Sequence, residues 1–264
     1  MTSVAEVDRH VMTLATLRLD ALARVLAAIS LCAWSVLVFG RPDWIPTAWC
    51  SRGLLVVAPL AASFRLALLV NSPARLALAW TLMVAAMMSP LLWAPLRHVG
   101  TQFNPKRCAW AMLLFAAGYM EVWLIAGVAL QPMALALRYA VPEPLVGLGI
   151  AALVASFWQI TPAKQWCLNC CHCRPPLTAT GVVGDCDVFL FGLWSGAACA
   201  GACWALMLLP LFVAHGHLLA MIAVAVFVIA ERRKPPARAA WRWPHAGGVR
   251  SVRKFCQGDS HAGC

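Results

Sequence analysis

The stretch from Val188 to Phe212, VFLFGLWSGAACAGACWALMLLPLF, decides the fold class of this chain. None of its residues is charged, and its length exceeds the roughly 20 apolar residues that a helix needs to cross the hydrocarbon core of a bilayer. We therefore predict that this stretch is a membrane-spanning helix.

The rest of the chain has a similarly apolar composition. Of its 264 residues, 62% are hydrophobic and 12% are charged, and the mean hydropathy is +0.76. Soluble domains contain roughly 45–50% apolar residues and about 25% charged ones. The composition predicts an all-α polytopic membrane protein and excludes an ordinary soluble domain.

Apolar segments and basic residues together predict the topology. With six spans and a cytoplasmic N-terminus, 16 of the 21 basic residues fall on the cytoplasmic side, where Lys and Arg concentrate. A seventh span at Leu54–Val70 would move the basic tail to the outer side, so we interpret that segment as interfacial or re-entrant. We predict a multi-pass membrane protein with cytoplasmic N- and C-termini and spans at Leu22–Phe39, Leu76–Leu96, Ala109–Leu130, Leu145–Ile160, Val188–Phe212 and Leu218–Ala230.

These spans divide the chain into three regions. Residues 1–21 form a predicted N-terminal cytoplasmic segment, residues 22–231 a six-helix transmembrane domain, and residues 232–264 a basic tail that we expect to be disordered. The net charge of +11 lies largely in this tail. Since no nucleic-acid-binding module is evident, the charge indicates topology and contact with the anionic lipid bilayer, not nucleic acid. The tail also ends in three possible soft ligands, Cys256, His261 and Cys264.

A dense group of soft ligands follows the fourth predicted span. The run Cys167-Leu-Asn-Cys170-Cys171-His172-Cys173 contains four thiols and an imidazole within seven residues. A zinc knuckle or a redox pair could have this composition. The predicted topology places the run on the cytoplasmic side, where thiols stay reduced, and this favours metal binding by all five side chains.

The fifth span contains a second group of sulfur atoms, because Cys199, Cys203 and Met207 recur at steps of four residues. Such steps place side chains on one face of a helix, about a turn apart. Thiolate and thioether ligands select Cu(I). The alternative interpretation is a tight helix interface of small residues, in which the two cysteines act as small hydrophobic side chains.

Three methionines in the second span, Met83, Met87 and Met88, could add thioether ligands. Met83 and Met87 share a helix face, and Pro90 is expected to loosen the helix just beyond them. If this face met the fifth span, the two groups would complete a three- or four-sulfur site. The alternative is that these residues simply fill gaps in the core.

Two weaker signals lie elsewhere in the predicted domain. Glu121 is an acid inside the third span, where it could face a metal or a proton path, or extend toward the membrane surface. His215 and His217 are close enough in sequence to bind one ion, although they could equally be ordinary surface residues.

Several motifs occur in one order, and together they resemble a known family. They are Trp80-Thr-Leu-Met83 with Met87-Met88-Ser-Pro90, Phe115-Ala-Ala-Gly118-Tyr119 with Trp123, Gln159-Ile-Thr-Pro162-Ala-Lys164-Gln-Trp-Cys167, Cys173-Arg174-Pro175-Pro176, Gly196 with Cys199, Gly201, Cys203, Trp204 and Met207, and Glu231-Arg232. Over residues 76–233 the chain resembles bacterial integral membrane proteins predicted to bind metal. That family includes a copper chaperone for a tyrosinase-type polyphenol oxidase.

The chain departs from the family pattern at three places. Ala202 replaces the first of two adjacent cysteines in the fifth span, which leaves Cys203 alone. The family's loop after the fourth span usually has two cysteines four residues apart, and the extra Cys and His residues here leave open whether Cys170, Cys171 or Cys173 is the second of them. Relatives often carry a Met-rich outer segment between the first two spans, whereas this chain has only Cys50 there.

The resemblance and the residues lead to one functional prediction. We expect a non-enzymatic inner-membrane protein that binds a soft metal, Cu(I) in particular, and delivers copper to a client copper enzyme by thiol and thioether ligand exchange. A membrane metal permease and a membrane thiol–disulfide oxidoreductase remain open as alternatives.

Overall fold

A computed structural model of the chain describes residues 4–40, 73–141, 143–178, 180–213 and 216–241. Within these ranges the chain is helical and has no strands, which confirms the predicted all-α class. A short 3-10 helix, Ser89–Leu92, joins the second and third α-helices. The α-helices are α1 (Val4–Phe39), α2 (Pro73–Met88), α3 (Trp93–Gln102), α4 (Pro105–Ala140), α5 (Pro144–Ile160), α6 (Pro162–Cys170), α7 (Gly181–Phe212) and α8 (His217–Arg232).

Four stretches of the described chain are long and apolar enough to cross a membrane: Asp20–Phe39, Leu76–Gln102, Pro105–Ala134 and Gly181–Phe212. Counting α5 and α6, which meet at 69°, as one broken span gives a fifth. The predicted sixth span, Leu218–Ala230, lies in α8, whose 16 residues are short for a span. The count of six and the cytoplasmic termini stay predictions, and Leu54–Val70 lies outside the described residues.

The parallel pair α4 and α7 forms the centre of the bundle. Arg107 near the start of α4 forms an ion pair at 2.6 Å with Asp185 near the start of α7. Further along, glycines let the two backbones approach closely. A Cβ on Gly192 would lie 2.3 Å from the Phe115 carbonyl oxygen, and a Cβ on Gly118 would lie 2.5 Å from the Phe189 carbonyl oxygen. Small residues allow such close approach between apolar helices.

Helix α2 joins this pair through an aromatic contact. The Trp80 indole N–H donates a 2.6 Å hydrogen bond to the Trp123 carbonyl oxygen of α4, and the ring fills the space above Gly127. As predicted, the α-helical path is interrupted at Ser89-Pro90, because proline lacks the backbone N–H that the helix requires. The Ser89 hydroxyl donates instead to the Ala85 carbonyl oxygen at 2.5 Å.

A break at Thr161-Pro162 redirects the chain between α5 and α6. The residue before a proline avoids the helical conformation, and Thr161 is extended with ψ of 144°. Its hydroxyl accepts a hydrogen bond from the Lys164 backbone N–H at 3.2 Å and so caps α6. The cap starts α6 in a new direction, toward the middle of α7.

Helices α5 and α8 run antiparallel to α7. In α5, Gly147 lies beside Phe212, and the Trp158 indole donates to the Gly201 carbonyl oxygen at 2.9 Å. Helix α8 begins near the end of α7, where His217 Nδ1 lies 2.7 Å from the Pro210 carbonyl oxygen. Its other end therefore reaches the middle of α7, where α6 also arrives.

The segment after α8 packs against the bundle as far as the described chain extends. The Asn169 side chain of α6 both donates to the Ala237 carbonyl oxygen and accepts from the Ala237 backbone N–H, at 2.7 and 3.2 Å. The Trp241 ring lies 5.9 Å from the Phe157 ring of α5. These contacts hold the segment after α8 against α5 and α6.

Replacing Gly192 with alanine should destabilise the protein, because the new Cβ would overlap the α4 backbone. Overpacking of this kind costs about 1–3 kcal/mol. Thermal unfolding of the purified protein in detergent measures the effect. Gly149→Ala is the matched control, since a Cβ there meets nothing within 4 Å and should leave stability unchanged or raised. Equal unfolding of the two variants would contradict the close contact between α4 and α7.

Candidate metal centre

The predicted sulfur stripe of α7 lies in the interior of the bundle. Cys199 and Cys203 are each 2% exposed and Met207 is 0% exposed. Both cysteines are free thiols, and the Cys203 thiol donates a hydrogen bond to the Cys199 carbonyl oxygen at 3.0 Å. The small residues around them pack tightly, because a Cβ on Gly196 would lie 3.0 Å from the Tyr119 carbonyl oxygen. The stripe therefore lies in a tight interface of small residues, and its two cysteines are buried free thiols within that interface.

A tyrosine of α4 completes the immediate surroundings of these thiols. The Tyr119 hydroxyl donates to Cys199 Sγ at 3.2 Å, and its ring stacks on Phe115. A buried tyrosine hydroxyl usually finds a hydrogen-bond partner. The chain contains only two tyrosines, and a tyrosine inside an apolar span was the signal that could have identified this residue.

A buried ion pair joins α6 to α8. Lys164 of α6 contacts Glu231 of α8, and the two side chains are 4% and 7% exposed. The sequence prediction counted Lys164 as a basic loop residue on the cytoplasmic side. The structure corrects the loop assignment, because Lys164 lies in α6 and is buried against Glu231, which compensates its charge. Its side of the membrane stays a prediction.

Two further polar groups in this region have unsatisfied hydrogen-bonding atoms. Arg232 follows Glu231 at the end of α8 and buries its NH1 atom with no hydrogen-bond partner among the described residues. The side-chain amide of Gln159, near the end of α5, is buried within that same part of the chain with neither polar atom bonded. Buried polar atoms without partners are uncommon in folded proteins.

The Cys167–Cys173 run meets α7 through its first cysteine. Cys167 Sγ lies against Gly201, where an added Cβ would be 2.7 Å away. Gly201 is two positions from both Cys199 and Cys203, about 200° around the helix. Cys167 therefore contacts nearly the opposite side of α7 from the two buried thiols.

The other members of the run occupy varied environments. Cys167, Cys170 and Cys171 are free thiols, whereas Cys173 is disulfide-bonded. Both ring nitrogens of His172 face carbonyl oxygens, those of Leu168 and Arg232, at 3.0 and 3.2 Å. Metal binding by His172 would therefore break a contact between α6 and α8. Among the residues that the structure describes, no three His, Cys, Asp or Glu side chains are arranged to hold a metal ion.

Arg174 organises the loop that follows this run. Its guanidinium donates to the carbonyl oxygens of Cys171 and Cys173 at 3.0 and 2.6 Å. Burial lowers the pKa of the Arg174 guanidinium from its ordinary value. The loop then meets α3, where His98 Nε2 lies 2.8 Å from the Pro175 carbonyl oxygen.

The methionines of α2 are buried in the same hydrophobic core as the α7 stripe. Met83 is 5% exposed, and Met87 and Met88 are each 1% exposed. Helix α2 packs against α1, α4 and α8. The core also contains Met221 of α8, which is fully buried and which the sequence prediction missed.

The remaining candidates are distant from this arrangement or outside the described residues. The Glu121 side chain is exposed on the outer face of α4, whereas Tyr119 and Trp123 of the same helix face inward. His217 contacts the end of α7. The predicted ligands His215, Cys256, His261 and Cys264 lie outside the described residues, as does Cys50.

Fold and site together define a class: an all-helical protein whose apolar helices enclose a pair of free thiols beside a tyrosine and a buried ion pair. Residues 77–251 match the PpoB2 family, described as a copper chaperone, and the chain belongs to this family. The match confirms the resemblance drawn from the motifs and the non-enzymatic role it implies. No curated protein and no solved structure matches the chain.

Removing one charge of the Lys164–Glu231 ion pair should destabilise the protein far more than removing both. Lys164→Met leaves the Glu231 charge buried without a partner, and such a loss costs about 3–5 kcal/mol. The double variant Lys164→Met, Glu231→Met removes both charges and should recover most of that loss. Chemical unfolding in detergent measures the cycle, with the exposed Lys106→Met as control. Additive losses in the double variant would show that the two charges are independent.

Proposed function

We propose that this copper chaperone works in the inner membrane, holds Cu(I) between Cys199 and Cys203, and transfers it to a client copper enzyme by ligand exchange. The observation that carries the proposal is the pair of buried free thiols one turn apart on α7, with the Tyr119 hydroxyl bonded to one of them. Residues at this spacing have Cβ atoms about 5–6 Å apart, so their sulfur atoms can converge on one ion.

The chemistry of these groups suits Cu(I). Thiolate sulfur is a soft ligand that selects Cu(I), and metal binding to thiols releases protons. The Tyr119 hydroxyl can keep its hydrogen bond to Cys199 when that thiol becomes a thiolate, and hydrogen bonds to charged acceptors are the stronger kind. The surrounding apolar residues exclude water, so the ion would remain protein-bound throughout.

The other predicted ligands become accessory groups in this proposal. Met207 lies one turn beyond Cys203 and would supply a thioether along the transfer path, and Met83, Met87 and Met88 would extend the path within the same core. The free thiols Cys167, Cys170 and Cys171 would exchange copper at a separate position. Their location across α7 means that copper would pass around the helix to reach the stripe.

The permease alternative loses its main support at Glu121. A conduction path needs polar groups that line it together with the sulfur atoms. Because Glu121 faces away from Cys199 and Cys203, it cannot line a path with them. Binding and transfer therefore explain the site better than conduction.

Replacing both Cys199 and Cys203 with serine should remove the copper that the purified protein binds under anaerobic, reducing conditions. The expected result is copper at background level, because hydroxyl groups are poor ligands for a soft ion. Metal analysis per chain measures it, and Cys32→Ser with Cys186→Ser, two exposed thiols, is the matched control. Full retention of copper by the Cys199 and Cys203 variant would contradict the proposal.

Tyr119→Phe should weaken Cu(I) binding without abolishing it. The substitution removes only the hydroxyl that supports Cys199, and loss of such a supporting group typically costs about 10–100-fold in metal affinity. Competition with a Cu(I) chelator measures the affinity. Thermal unfolding of the apo variant is the control, and an unchanged affinity would mean that the hydroxyl has only a structural role.

A further inference from the structure

Helices α4 and α7 keep one register along their contact. A Cβ on Gly192 would lie 2.3 Å from the Phe115 carbonyl oxygen, and a Cβ on Gly196 would lie 3.0 Å from the Tyr119 carbonyl oxygen. Both partners advance by one helical turn from the first contact to the second. The Cβ on Gly196 would also lie 3.0 Å from Val122 Cβ, so the contact continues along α4 as far as Val122.

The same register places the side chain of Trp123 at the level of Cys203. The Tyr119 hydroxyl lies 3.2 Å from Cys199 Sγ. Trp123 follows Tyr119 by one turn on the same face of α4, and Cys203 follows Cys199 by one turn on the same face of α7. Moving both partners of the Tyr119–Cys199 contact forward by one turn therefore pairs Trp123 with Cys203.

Trp123 has a buried hydrogen-bond donor that lacks an acceptor. Its side chain is 0% exposed, and its indole N–H has no partner among the described residues. The ring packs 6.4 Å from the ring of Trp80, whose own N–H is bonded to the Trp123 carbonyl oxygen. An indole nitrogen can only donate, and buried donors without an acceptor are uncommon. The unpaired N–H therefore points to an acceptor that forms in another state of the site.

We propose that the Trp123 indole N–H is a positioning donor for the metal site and donates to the Cys203 thiolate once copper is bound. The inference rests on the proposed binding of Cu(I) by Cys199 and Cys203. In the metal-free protein the Cys203 sulfur is a thiol, which is a weak acceptor, and its proton is donated to the Cys199 carbonyl oxygen.

Copper binding converts the Cys203 sulfur into a strong acceptor. The S–H bond breaks, the proton leaves as H⁺, and a Cu–S bond forms while copper stays in the +1 state. The resulting thiolate accepts charge-assisted hydrogen bonds, which are stronger than those between neutral groups. Tyr119 would then support one thiolate and Trp123 the other, so that α4 supplies a donor for each ligand of α7.

NMR of the indole N–H groups tests the inference in the unaltered protein. Val122-Trp123 is the only Val-Trp pair in the sequence, so isotope labelling of valine carbonyl carbons and tryptophan nitrogens identifies the Trp123 amide, from which its indole signal is assigned. We expect the Trp123 indole proton to shift downfield when Cu(I) is added anaerobically, because a hydrogen bond to a thiolate deshields it. The Trp80 indole, which is already bonded, should shift little. An unmoved Trp123 signal in the copper-loaded protein would overturn the inference.

Trp123→Phe provides the matching affinity measurement, since it removes the N–H and keeps an aromatic ring. We expect Cu(I) affinity to fall about 10–100-fold, as for other groups that support metal ligands from behind. Trp194→Phe, at a ring that is 48% exposed on α7, is the matched control and should resemble wild type. A folded Trp123→Phe protein with wild-type affinity would also refute the role. If that variant does not fold, the NMR shift decides.

The Cys199→Ser, Cys203→Ser protein separates this inference from the proposed function. If that protein still binds copper in full, the proposed function fails. If it binds none, while the Trp123 indole signal of the unaltered protein does not move on copper loading, only the donor role of Trp123 fails.

Discussion

The close contact between α4 and α7 is the constraint on which the rest of the structure depends. Gly118 and Gly192 remove the side chains that would separate the two backbones, and the helices then run in parallel with matching levels. This register places the Tyr119 hydroxyl on Cys199 Sγ. A wider helix separation would leave the hydroxyl unpaired and the two thiols without their polar neighbour.

The second determinant is the bend that Pro162 introduces between α5 and α6. A straight helix would have continued along α7 and carried Lys164 past the thiols. The bend instead turns α6 across the bundle, where Lys164 meets Glu231 at the end of α8. The charged side chains inside this apolar bundle thus lie near helix ends, where polar residues do not interrupt a long apolar span.

Local sequence patterns predicted much of the fold and the shared helix face of the sulfur atoms in α7. The apolar stretch at Val188–Phe212 predicted α7, and steps of four residues predicted that its two cysteines and Met207 share a face. The partners of these residues were not predictable in the same way. Tyr119 is 80 positions from Cys199, and Lys164 is 67 positions from Glu231. No local period encodes such pairs, and the sequence prediction treated Lys164 as a loop residue whereas it is buried in α6.

The hydrogen bond from the Cys203 thiol to the Cys199 carbonyl oxygen gives the metal-free protein an intrinsic infrared signal. An S–H group absorbs in an infrared region that other protein groups leave clear, and its frequency depends on the acceptor it faces. Exchange of the proton for a metal would erase that band and return the carbonyl to its helical bond alone. The infrared band of the Cys203 S–H group would therefore report whether a metal is bound, without any attached probe.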